Sequence, residues 1–238
     1  MNHRYTVAAR RLGVASAVAV ASLVVIYTVT LAAGFLSLDS PRDPIGDPYF
    51  SLLEILILSM VPFMVTLMVA VHAWAPAEAR VFSLTALAFM VVLAGLTSAL
   101  HFVILTVSRE AAFADLSWLP LLLSFEWPSV AYAIDILAWD VFFALSVLFA
   151  APVFGGSRLA LWVRALLIVS GVLSAAGLSG VVLGNMQARN IGIVGYTVVF
   201  AVAAVLLAVL FYRTKPKVLR HEDRKAPNDS KGPTHGTR

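Results

Sequence analysis

The 238-residue sequence contains no cysteine, which excludes disulfide bonds, thiolate metal sites, iron–sulfur clusters and thiol nucleophiles. All its lysines lie at or after Lys215, so no apolar segment offers a Schiff-base lysine and a retinal protein is excluded. His101 is the only histidine within the predicted membrane interior, which argues against a bis-histidine haem or a histidine-rich zinc site. Phosphate-loop, nucleophile-elbow and HExxH motifs are also absent. We therefore expect neither a metal nor a cofactor.

Charged residues are scarce as well. They make up 13% of the chain, whereas roughly a quarter of the residues in soluble domains are charged. Hydrophobic residues make up 61%, and the few charges are clustered between long apolar runs. A run of about 20 apolar residues crosses a ~30 Å hydrocarbon core as an α-helix. The composition predicts an all-α integral membrane protein whose main partner is the lipid bilayer.

Six apolar runs predict six transmembrane helices, which together form a bundle over residues 1–212. The first run is about twice the length of a signal-peptide core of 7–15 residues, so we interpret it as a retained helix. The longest connection, 108–128, contains Trp118 and Trp127 and is typical of an interfacial segment. Residues 213–238 are charged and nearly free of large apolar side chains, which predicts a disordered basic tail. The predicted helices are 12–38, 52–74, 81–107, 129–154, 159–184 and 191–212.

The basic residues predict how the bundle is oriented. An even number of helices places both termini on one side, together with the turns near residues 77 and 156. That side has fourteen of the 17 Lys and Arg residues, eight of them after Phe211, and the other side has only Arg42, Arg109 and Arg189. The positive-inside rule predicts cytoplasmic termini in the cell membrane. Because the excess charge is concentrated in the tail, we expect no nucleic-acid partner; the oligomeric state is left open.

Ionisable side chains inside a bilayer cost roughly 2.5–3.5 kcal/mol each on insertion scales, so each one requires an explanation. At a rise of about 1.5 Å per residue, Glu54 lies ~5 Å below the outer boundary, Asp135 ~9 Å and His101 ~10 Å. These three residues, on the second, fourth and third helices, are predicted to share one layer of the outer half. We interpret them as a candidate ligand or proton site; a network that only stabilises helix packing is the alternative.

Asp140 is deeper, at ~16 Å by the same count. Five residues separate it from Asp135, which is about 140° around a regular α-helix, so the two carboxylates are predicted to face different neighbours. Arg164 lies early in the fifth helix, and its long side chain brings an Asp140–Arg164 ion pair within reach. We therefore predict a structural role for this pair.

The residues leave three classes of function open. One is a small transporter or ligand-binding membrane protein whose small-molecule or ion ligand the sequence does not identify. The second is an intramembrane enzyme that uses the same groups for acid–base chemistry on a lipid-borne substrate, and the third is an accessory subunit without a site. A non-enzymatic role is favoured, and no residue is assigned as catalytic.

Overall fold

The computed structural model describes residues 5–40, 43, 45–110, 112 and 115–215. This part of the chain contains seven helices and no strand. Six of the helices, all except the short α4, are long and apolar enough to span a membrane, which confirms the all-helical class and indicates a membrane protein. The helices are α1 (Val7–Leu36), α2 (Tyr49–Trp74), α3 (Ala77–Thr106), α4 (Leu119–Leu123), α5 (Val130–Val153), α6 (Arg158–Val182) and α7 (Met186–Arg213).

Polar caps determine where several helices begin. The hydroxyl of Ser129 accepts a hydrogen bond from the Tyr132 N–H at the start of α5, and Ser157 caps α6 in the same way. The side chain of Asn185 accepts from the Gln187 N–H, so α7 begins at Met186 rather than at the predicted residue 191. From residue 216 onward, the predicted disordered tail lies outside the described residues.

The six long helices form a closed ring in chain order. Each packs against the next one along the chain, with the short α4 between α3 and α5, and α7 packs against both α6 and α1. At one end of the ring the Trp74 indole stacks on Phe154 with centroids 5.3 Å apart and donates a hydrogen bond to Thr214 Oγ1. Tyr5 and Phe211 also meet there. We call this the terminal end, and the opposite one, with the connections 37–48 and 107–129, the loop end.

The interior of the ring is apolar, and so is its exterior. Large side chains such as Phe143, Phe200 and Met90 are fully buried in one continuous core. Trp162 and Val29 are 65% and 64% exposed on the outer faces, which is the pattern expected of helices that contact lipid. Polar side chains are therefore the exception inside this fold.

Three helices depart from regular α-helical geometry in their interior. Residues Leu137–Phe143 of α5 and Gly195–Val199 of α7 are π-helical, and α6 is interrupted by a turn at Gly177 and Leu178. In a π-helix the backbone hydrogen bonds run from residue i to residue i+5, and such segments are frequent at functional sites. All three irregularities lie next to buried polar side chains.

Candidate functional site

The imidazole of His101 lies between two carboxylates near the loop end. Its Nδ1 is 2.7 Å from Glu54 Oε2, and its Nε2 is 3.6 Å from Asp135 Oδ1. Glu54 and His101 are buried, and 14% of the Asp135 side chain is exposed. The structure thus brings together, from α2, α3 and α5, the three residues that the sequence predicts in one layer. Their role as a ligand or proton site stays a prediction.

Arg189, in the first turn of α7, extends this contact deeper into the bundle. Its Nη2 donates to Asp135 Oδ2 at 3.0 Å, and its Nε donates to Asp140 Oδ2 at 3.2 Å. The third guanidinium nitrogen, Nη1, donates to the Tyr132 hydroxyl at 3.0 Å, and the guanidinium lies over the Tyr132 ring. Only 3% of Arg189 is exposed. We refer to Glu54, His101, Asp135, Arg189 and Asp140 as the polar cluster.

The structure pairs Asp140 with Arg189 instead of with Arg164. Arg164 is exposed on the outer face of α6, and no ion pair joins it to Asp140 among the described residues. Arg164 lies near the terminal end, from which a long cationic side chain reaches the polar headgroup region. The predicted Asp140–Arg164 pair is therefore replaced by a pair between α5 and α7.

The two aspartates face the same neighbour, which corrects the expectation from regular helix geometry. Both carboxylates bind one guanidinium although they are five residues apart. The π-helical segment of α5 explains this, because i→i+5 hydrogen bonding brings residues five apart closer to the same face. The 140° separation holds only for an uninterrupted α-helix.

Phe125, in the connection between α3 and α5, packs against the polar cluster near the loop end. The ring of Phe125 stacks on His101 with centroids 5.3 Å apart and meets Tyr132 edge-on at 6.5 Å. Asp135 is the member of the cluster with the largest exposed fraction. Phe125 therefore packs against two aromatic side chains of this region, and Asp135 is the cluster residue most accessible to solvent.

The charges of the polar cluster do not balance. Three carboxyl groups face one guanidinium and one imidazole, which leaves a net charge of −2 with neutral His101 and −1 with the imidazolium. Uncompensated charge is costly in a buried site. Protons or a bound cation can supply the missing positive charge. Both imidazole nitrogens of His101 face carboxylate oxygens, and no group of three or more His, Asp and Glu residues in the described chain is arranged to hold a metal ion.

Three buried polar atoms of this region lack a hydrogen-bond partner among the described residues: His101 Nε2, Asp140 Oδ1 and Thr97 Oγ1. The 3.6 Å between His101 Nε2 and Asp135 Oδ1 is too long for a hydrogen bond. Buried polar atoms in folded proteins are nearly always satisfied, so unpaired ones require an explanation.

The fold indicates a helical membrane protein, and a charged network is buried near one end of its bundle. No protein-family model matches the sequence, and no curated protein or solved structure is detectably similar to it.

Proposed function

We propose that this chain is a small transporter or ligand-binding membrane protein in which Glu54, His101 and Asp135 form a proton-exchanging site. One observation carries the proposal: a buried imidazole held between two carboxylates, inside helices of spanning length. An imidazolium donates to both carboxylates at once, whereas neutral imidazole donates to only one of them. Protonation of His101 thus determines whether the imidazole can donate to both carboxylates or to only one of them.

Asp135 connects this exchange to a ligand. It is the most exposed member of the cluster, and its two oxygens face His101 and Arg189. A positively charged group that reaches Asp135 competes with the imidazolium for the same carboxylate oxygen. The site therefore favours the exchange of a proton for a cationic ligand.

We propose that the loop end faces outward and that both termini are cytoplasmic in the cell membrane. The positive-inside rule supports this orientation. The count of basic residues assigns Arg189 to the outer side, but Arg189 is buried in an ion pair. The difference in exposed positive charge between the two sides is therefore larger than the count gives.

The orientation can be tested by labelling single cysteines, because the chain has none of its own. In intact cells, cysteines in place of the exposed Glu126 and Gln187 should react with an impermeant maleimide. Cysteines in place of the exposed Glu78 and Gly155 should react only after the cells are permeabilised. Reaction of Glu78→Cys in intact cells, with protection of Glu126→Cys, would invert the orientation.

Proton exchange can be measured without a known substrate. Purified protein in vesicles on a solid-supported membrane should give a transient current after a pH jump, as protons enter or leave the site. We expect His101→Gln and Asp135→Asn each to reduce this current several-fold. His72→Gln is the matched control, because His72 contacts Ser83 near the terminal end and is not part of the cluster.

A packing network predicts the opposite pattern. In that case His101→Gln and Asp135→Asn lower the unfolding temperature but leave the current at the level of His72→Gln. That result would contradict the proposed function and leave the interpretation as an accessory subunit.

A further inference from the structure

Two unpaired oxygens face the interior one turn deeper than the contact between His101 and Asp135. Asp140 is 0% exposed and its Oδ1 has no hydrogen-bond partner in the described chain; Thr97 is 1% exposed and its hydroxyl has none either. The Thr97 hydroxyl is unusual for a helix. The hydroxyls of Thr28, Thr30, Thr85 and Thr106 all donate to the carbonyl four residues earlier.

The two side chains lie on neighbouring helices, and each is closer to the terminal end than the contact between His101 and Asp135. Thr97 precedes His101 by four residues on α3, which corresponds to about 6 Å toward the terminal end. Asp140 follows Asp135 by five residues on α5, in the same direction along the bundle. Helix α3 packs directly against the π-helical segment that contains Asp140. Closer to the loop end, the contact between His101 and Asp135 joins the same two helices.

Two glycines, one of them at the interruption of α6, lie against the carboxylate of Asp140. A Cβ added to Gly177 or Gly192 would lie 3.0 Å from a carboxylate oxygen of Asp140, and the carbonyl oxygen of Ser174 would be 3.0 and 3.2 Å from those same positions. The Ser174 carbonyl belongs to the last turn before the interruption of α6, where it accepts one hydrogen bond, from the Gly177 N–H at 3.0 Å. In membrane transporters, carbonyls at broken helices coordinate Na⁺.

We propose that Asp140 Oδ1 and Thr97 Oγ1, together with the Ser174 carbonyl, form a binding site for a small monovalent cation such as Na⁺. All three are oxygen ligands, which hard cations prefer. The cation supplies one of the positive charges that the polar cluster lacks. Arg189 binds Oδ2 of Asp140 and leaves Oδ1 for the cation. This inference goes beyond the proposed proton exchange and does not depend on it.

The full-length protein in detergent provides the test. At constant ionic strength, replacing choline chloride by NaCl should raise the unfolding temperature in proportion to the logarithm of the Na⁺ concentration, because only the folded state binds the ion. Binding of ²²Na⁺ to the same protein should be displaced by unlabelled Na⁺. Thr97→Val keeps the side-chain shape and should weaken ²²Na⁺ binding at least tenfold. Thr85→Val, on the same helix, is the matched control, because the Thr85 hydroxyl bonds to a backbone carbonyl.

Two outcomes overturn the proposal. One is an unfolding temperature that does not respond to Na⁺, including the case in which it responds only to pH, which would mean that the unpaired oxygens hold a proton. The other is equal ²²Na⁺ binding by Thr97→Val and Thr85→Val. His101→Gln separates the two proposals, because it should reduce the pH-jump current several-fold and keep the Na⁺-dependent stabilisation.

Discussion

Arg189→Met is expected to be the most destabilising single substitution, with a loss of about 3–5 kcal/mol in the free energy of unfolding. The substitution preserves much of the side-chain volume but leaves the carboxylates of Asp135 and Asp140 buried without their cation. Titration of the purified protein with SDS in mixed micelles, followed by the loss of helical circular dichroism, measures the change.

Arg164→Met is the matched control for this prediction. Arg164 is exposed, so its replacement should change stability by no more than about 0.5 kcal/mol. Neutralising the stranded acids in the combination Asp135→Asn, Asp140→Asn and Arg189→Met should recover part of the loss. If Arg164→Met were the more damaging of the two arginine variants, Asp140 would have a different partner from the one in this structure.

Gly195→Ala should destabilise the protein by about 1–3 kcal/mol, because it forces α6 and α7 apart. The added Cβ would lie 2.8 Å from both the Ser170 carbonyl oxygen and the Ser174 nitrogen. These are backbone atoms of α6, and they cannot move aside as a side-chain end can. The Ser170 hydroxyl also donates to the Gly195 carbonyl, so the same displacement strains a buried hydrogen bond.

Gly95→Ala is the corresponding control in α3. A Cβ at Gly95 has no atom within 4 Å, and alanine is the better helix former by up to about 1 kcal/mol. This variant should be neutral or more stable in the same SDS titration. Equal losses in the two alanine variants would contradict the close packing of α6 against α7.

Much of the architecture was predictable from the sequence. Long apolar runs identify the six helices, and the uniform rise of an α-helix is enough to place Glu54, His101 and Asp135 at one depth. Their proximity follows from depth and from the ring order of neighbouring helices. These features depend on averages over many residues, which tolerate errors of a few residues at each helix end.

The rest of the cluster depends on local geometry that such averages do not capture. Arg189 was interpreted as a loop residue because 185–190 is polar, although Asn185 is a typical N-cap and could have indicated an earlier helix start. The sequence predicts Arg164 as the partner of Asp140, because the interpretation of 185–190 as a loop leaves Arg189 outside the membrane interior. No residue type identifies the π-helical segment that decides between them.

The π-helical segment makes the polar cluster dependent on chain length as well as on residue identity. A π-helical turn holds a surplus residue relative to an α-helical one, and Asp140 reaches the guanidinium from within such a segment. Along this stretch of α5, the number of residues determines the direction in which every later side chain points. A substitution changes one side chain of this helix, whereas removing one residue would change the direction of every side chain that follows it in α5.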